Sequence, residues 1–164
     1  MRRALRSNLL ATTILFLIFS FNSFAQFPYT ESFLNTTAPG MVISGSAKLT
    51  AATGTDPVGQ GYLRLTDNST MNVGYAYCQQ AFPSNYGITA SFEFFMWKSD
   101  AAGWNQADGI SFFLFDASVN SFRPGGTGGS LGYAQYYSVP GMAKGYMGIS
   151  IDGFGNFSFC STGK

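Results

Sequence analysis

Two stretches decide the fold class: Gly87-Ile-Thr-Ala-Ser-Phe-Glu-Phe-Phe-Met-Trp97 and Gly109-Ile-Ser-Phe-Phe-Leu-Phe-Asp116. In the first, Ile88, Ala90, Phe92, Phe94 and Met96 occupy alternate positions, with Thr89, Ser91 and Glu93 between them. Period 2 marks a strand, because successive side chains point to opposite faces of a sheet. Phe95 and Trp97 then make both faces apolar, as in a strand covered on two sides. The second stretch reads the same way. Weaker alternation predicts further strands over 41–50, 61–66, 72–82, 145–152 and 156–161. Turn-forming residues separate them at 53–61, 83–86, 99–107 and in Arg123-Pro-Gly-Gly-Thr-Gly-Gly129. Helical periodicity is almost missing. Many short, evenly punctuated strands predict an all-β chain, folded as an antiparallel β-sandwich or jelly roll.

The start of the chain has a different character. Arg2, Arg3 and Arg6 precede an uncharged apolar run over 9–24, and Ser23-Phe24-Ala25 gives a small-residue site before Gln26. This reads as a secretory signal peptide over 1–25, so the mature protein is expected to be secreted or held at the cell surface. The uninterrupted apolar core of the run, 14–19, is too short for a membrane span of about 20 residues. Removing residues 1–25 leaves 139 residues with six basic and eight acidic side chains, so a net charge of +1 becomes −2. The six positive charges are scattered singly and give no footprint for nucleic acid.

Composition narrows the chemistry further. The absence of histidine excludes a Ser-His-Asp triad, a His-paired cysteine nucleophile and a histidine metal ligand. Glu31 and Glu93 are the only glutamates, and Glu93 has no acidic partner on its strand. Residues 26–164 suffice for one domain with one core. Cys78 and Cys160 are the only cysteines. In an oxidising compartment they either form one long-range disulfide or stay as separate thiols.

Three short motifs carry the functional reading: Ala107-Asp108-Gly109-Ile-Ser-Phe-Phe-Leu114, Gly128-Gly129-Ser130-Leu131-Gly132, and Ile149-Ser150-Ile151-Asp152-Gly153-Phe154-Gly155-Asn156. Each alone is ordinary turn chemistry. Together, in this order, they resemble the L-type (legume-lectin-like) family of the concanavalin A-like fold, over roughly residues 40–160. The likeness is greatest to bacterial surface members, where such a domain opens a longer exported protein. The resemblance implies non-catalytic carbohydrate binding. Asp108 would accept hydrogen bonds from two sugar hydroxyls, the peptide Ala107–Asp108 would be cis, and the Gly129 N–H would donate to the same sugar. Asp152, Phe154 through its carbonyl, and Asn156 would hold calcium, with Asn156 and the Phe154 ring also reaching the sugar.

These roles are chemically coherent. A sugar presents many hydroxyls and an apolar face, which call for a carboxylate, an amide, a backbone donor and an aromatic ring. Calcium takes oxygen ligands of the kind Asp152 and Asn156 carry. The competing reading makes Asp108, Asp152 and Asn156 plain turn residues.

The chain also departs from the family pattern. Ser150 stands where the family's transition-metal glutamate is expected, so no transition metal is expected. Cys160 stands where a further calcium aspartate would lie. Sandwich glycosidases are the enzymatic alternative, but they need two carboxylates flanking the scissile bond. Segment 150–155 lacks the glutamates that would supply them, so no enzymatic activity is expected. A purely structural surface module is the third reading. Tyr133, Tyr136 and Tyr137 are read as sheet-packing residues that could also line a glycan groove. Asn35, Asn68 and Asn156 open N-glycosylation patterns, which count for little behind a bacterial-looking leader. Because the last predicted strand, 156–161, closes the sequence, the domain is expected to be truncated at its C-terminus, with downstream domains of the same polypeptide to follow.

Overall fold

Alternation becomes paired strands wherever both partners carry it. The computed structural model describes residues 28–85, 87–97, 107–155 and 157. The chain divides into two units, Met1–Thr30 and Glu31–Lys164, and the fold described here is that of the second. The predicted leader (1–25), most of the 99–107 turn, Asn156 and Cys160 lie outside the described residues.

Among the described residues, six strands form three antiparallel pairs. They are β1 (Met41–Gly45), β2 (Lys48–Leu49), β3 (Leu63–Arg64), β4 (Gly74–Cys78), β5 (Gly109–Phe115) and β6 (Gly145–Asp152). β1 pairs with β4 from Met41↔Cys78 to Gly45↔Gly74, and β2 pairs with β3. β5 pairs with β6 from Gly109↔Asp152 to Leu114↔Met147, with a register shift at Leu114/Phe115. Among the described residues the one helical turn is a 3-10 turn over Gly128–Ser130. The chain is all-β, and among the described residues no helix is long and apolar enough to cross a membrane.

The predicted strand 41–50 is split in two, and Gly45 is the reason. Its φ is +67°, a left-handed conformation that side chains rarely adopt, and a Cβ there would stand 2.0 Å from the Val73 carbonyl oxygen. The bend lets Ser46 N donate to Val73 O (2.9 Å) and Ala47 N to Ser44 O (3.2 Å) before β2 begins.

Aromatic side chains hold the two larger pairs together. Phe122 lies 4.5 Å from Tyr77, 4.9 Å from Phe115, 5.3 Å from Tyr75 and 5.7 Å from Phe113, measured between ring centroids. Offset and tilted contacts at these spacings are favourable beyond simple burial. They place one face of β5 against β4.

The other face, carrying Ile110, Phe112 and Leu114 by alternation, meets the 87–97 stretch. Phe92 stacks on Phe112 at 5.9 Å. Ile88, Ala90 and Phe92 share a cavity of about 260 Å³ with Phe112, Met147, Ile149 and Ile151. The alternation read in 87–97 therefore sorts its side chains correctly, but no strand is formed there. The stretch meets the hairpin through side chains rather than through backbone pairing.

Candidate functional site

The hairpin β5–β6 brings two of the three motifs to one end. Asp108 immediately precedes β5 and Asp152 ends β6, where it pairs with Gly109. The Ala107–Asp108 peptide is cis. The Asp108 carbonyl accepts hydrogen bonds from Gly153 N (2.9 Å) and Phe154 N (3.3 Å), so its backbone is tied to the turn that follows β6. At Gly109 a Cβ would meet Ile151 O at 2.3 Å, so the two strands approach too closely there for a side chain.

Asp152 organises its own loop. One carboxylate oxygen accepts from Phe154 N (3.1 Å) and Gly155 N (2.7 Å), and the other accepts from Phe157 N (2.6 Å). A carboxylate offers about four acceptor positions, so three are engaged by backbone amides. Asp108 is half-buried. Burial pushes its carboxyl above the usual carboxylate range, and the nearby Asp152 charge acts in the same direction. A proton or a cation would relieve that repulsion. Among the described residues no group of three or more Cys, Asp or Glu side chains is placed to hold a metal ion.

The third motif arrives on a long loop. Residues 123–143 leave and rejoin the fold at Ala143 N→Arg123 O (2.9 Å). The Arg123 guanidinium donates to the carbonyls of Pro124 (3.1 Å), Pro140 (3.0 Å) and Gly141 (2.9 Å). Within the loop, Gly126 N donates to Ala134 O (2.8 Å), and Tyr133 N donates to Ser130 O (2.9 Å). Ser130 is fully buried, and its hydroxyl donates to Gln135 O at 2.7 Å. The 3-10 turn ends in Leu131 in the left-handed conformation, its N–H returning to Gly128 O. A Cβ on Gly128 would lie 3.7 Å from the Asp108 carboxylate, so the turn passes directly beside that group.

Of the residues picked out from the sequence, Asp108, the turn containing Gly129, and Asp152 are brought together. Gly129 is buried within the turn, and its neighbour Gly128 lies beside Asp108. The Gly-Gly doublet carried that signal in the sequence. Phe154 lies two residues after Asp152 and is 46% exposed. Asn156 lies outside the described residues. The tyrosines divide. Tyr133 packs on Gly148, with its ring atoms 2.7 Å from where a Cβ would stand. Tyr136 meets Tyr137 edge-on at 4.6 Å, and Tyr137 is 79% exposed at the tip of the loop. Ser111 was also missed: from β5 its hydroxyl donates to Leu131 O at 2.7 Å.

The arrangement offers a carboxylate acceptor, a glycine turn close enough for a ligand to reach backbone, and an exposed ring. Comparison with known proteins finds no matching family, no similar curated protein and no similar solved structure.

Proposed function

We propose that this chain is an exported, non-catalytic carbohydrate-binding module, built as an L-type lectin-like β-sandwich and acting at the cell surface. The observation that carries this reading is the convergence of the Asp108 carboxylate, the Gly128–Ser130 turn and the Asp152 loop at one end of a single hairpin. A polyol needs an ionised acceptor held rigidly beside a backbone surface free of side chains, with an apolar platform nearby. Asp108, Gly128 and Gly129, and Phe154 supply these. Asp152 directs its carboxylate into its own loop, a supporting rather than a catalytic disposition. Calcium at Asp152, Phe154 and Asn156 would strengthen the same loop, with Asn156 also reaching the sugar. The sandwich, the leader over 1–25 and continuation into further domains belong to the same proposal.

A glycan array with the full chain, Asp108→Ala and Asp152→Ala, each with and without chelator, tests it. Wild type is expected to bind a glycan and Asp108→Ala to lose roughly ten- to hundredfold in affinity, the equivalent of one charged hydrogen bond of about 1.5–3 kcal/mol. Equal binding by Asp108→Ala overturns the site. Indifference to chelator overturns the calcium half alone. N-terminal sequencing of exported material should begin at Gln26.

A further inference from the structure

We propose that the contact between Tyr133 and Gly148 is a positioning device that sets the gap between the Gly128–Ser130 turn and Asp108. It deepens the carbohydrate-binding reading and, as far as affinity is concerned, rests on it; the gap itself can be measured without any sugar.

The glycine turn is not part of the hairpin it serves. It sits on a loop closed at a neck by Arg123 and Ala143, and the loop meets the sheet beyond that neck. Two contacts hold it there, both made by the β5–β6 face on which Ser111 and Gly148 lie. Tyr133 lays its ring on Gly148, where a Cβ would stand 2.7 Å from ring carbons, and the same ring passes 3.2 Å from a Cβ on Gly145. Gly145 and Gly148, three residues apart, pair with Phe115 and Phe113 across the register shift, so they share one face of β6 and make a shallow seat in the sheet. The second contact is the Ser111 hydroxyl on Leu131 O at 2.7 Å.

Tyr133 is coupled to the turn through its backbone. Its N–H donates to Ser130 O (2.9 Å) and its carbonyl accepts from Met142 N (2.8 Å). Lifting the ring therefore lifts Ser130, and with it Gly128. Sheet packing alone would be served by any large side chain over any small one. What distinguishes this contact is that the residue in the seat is bonded to the residue that closes the glycine turn.

The test uses the full chain. Gly148→Ala forces the ring out of its seat, Tyr133→Ala removes the ring, and Ser111→Ala releases Leu131. Two readouts are taken. The first is the nuclear Overhauser contact between the Gly128 Hα and Asp108 Hβ protons, which reports the gap itself. The second is affinity for a panel of methyl glycosides of glucose, mannose and galactose, together with N-acetylglucosamine. In each variant the Gly128–Asp108 contact is expected to weaken or vanish, because its intensity falls steeply as the turn retreats. Affinity for any sugar that wild type binds should fall at least tenfold. Adding Gly148→Ala to Tyr133→Ala should change neither readout further, since no ring remains to collide; contacting residues couple in this way.

Tyr75→Ala, in the aromatic cluster, serves as the control: it should lower stability and leave the Gly128–Asp108 contact in place. An unchanged contact in both Gly148→Ala and Ser111→Ala overturns the proposal, as does an equal loss in Tyr75→Ala. If wild type binds none of the sugars while the contact weakens as expected, the positioning device stands and the carbohydrate reading falls.

Discussion

Asp152 is the side chain whose removal the structure prices most directly. Its carboxylate accepts from the N–H groups of Phe154, Gly155 and Phe157. Hydrogen bonds to a charged group are worth about 1.5–3 kcal/mol when dry, but only about 0.5–1.5 when water can replace the partner. Phe154 and Gly155 are exposed, so water takes over their amides, and each bond is set near 0.5 kcal/mol. Phe157 is half-buried, and its bond is set at about 1–2 kcal/mol. Asp152→Ala is therefore expected to cost about 2–3 kcal/mol. Asp152→Asn keeps one carbonyl oxygen for Phe154 and Gly155 but turns an NH2 toward the Phe157 N–H, and should cost about 1–2 kcal/mol.

Urea unfolding at neutral pH measures both, with the denaturant slope unchanged because the surface exposed on unfolding is nearly the same. Amide exchange at Gly155 should accelerate in Asp152→Ala and much less in Asp152→Asn. The loop's Gly153 and Phe154 amides donate to the Asp108 carbonyl, so these two amides should lose protection in step. Equal stability of wild type, Asn and Ala variants, with unchanged exchange at Gly155, would refute the idea that this carboxylate builds the loop.

Phe122→Ala should cost about 2–3 kcal/mol by urea unfolding, below the range for a fully buried ring because Phe122 is half-buried; Tyr146→Ala, 77% exposed, should stay within about 0.5. The folded Asp108 carboxyl titrates above its unfolded value of 3.8, so it holds its proton more tightly in the folded chain. Its stabilising contribution is full below that value and is lost as pH rises through the raised one, and Asp108→Asn should flatten that part of the pH–stability curve. Sugar binding, which needs the ionised form, should appear over the same interval as pH rises. Gly45→Ala, which sets a Cβ 2.0 Å from Val73 O at φ +67°, should lower the thermal midpoint through a cost of about 1–3 kcal/mol.

The parts of the fold that were legible in the sequence are those in which local pattern and partner agree. The 109–116 and 145–152 stretches alternate and become β5 and β6 within a residue of the expected bounds, because each supplies the other with a complementary face. The 41–50 stretch alternates just as well, yet Gly45 breaks it; a glycine's backbone angle is set by what approaches it, here Val73 O, which is distant in sequence. The 87–97 stretch shows the opposite lesson. Its alternation correctly places Ile88, Ala90 and Phe92 on one face, but period 2 does not say whether the backbone finds a ladder. At the site, Asp108 and Asp152 could be picked out only because three motifs in order resemble the L-type lectin family; each alone is ordinary turn chemistry. Ser111 and Tyr133 could not, because their roles arise only when a loop folds back onto the sheet.

Arg123 gives the long loop a property of its own. By gathering the carbonyls of Pro124, Pro140 and Gly141, it clamps the two ends of 123–143 together without using anything from the segment between them. Changes at the tip, where Tyr137 stands 79% exposed, leave this neck untouched. The loop is a cassette: its outer residues can be lengthened, shortened or replaced while the neck stays shut, so variation at the tip can accumulate without a renegotiated core.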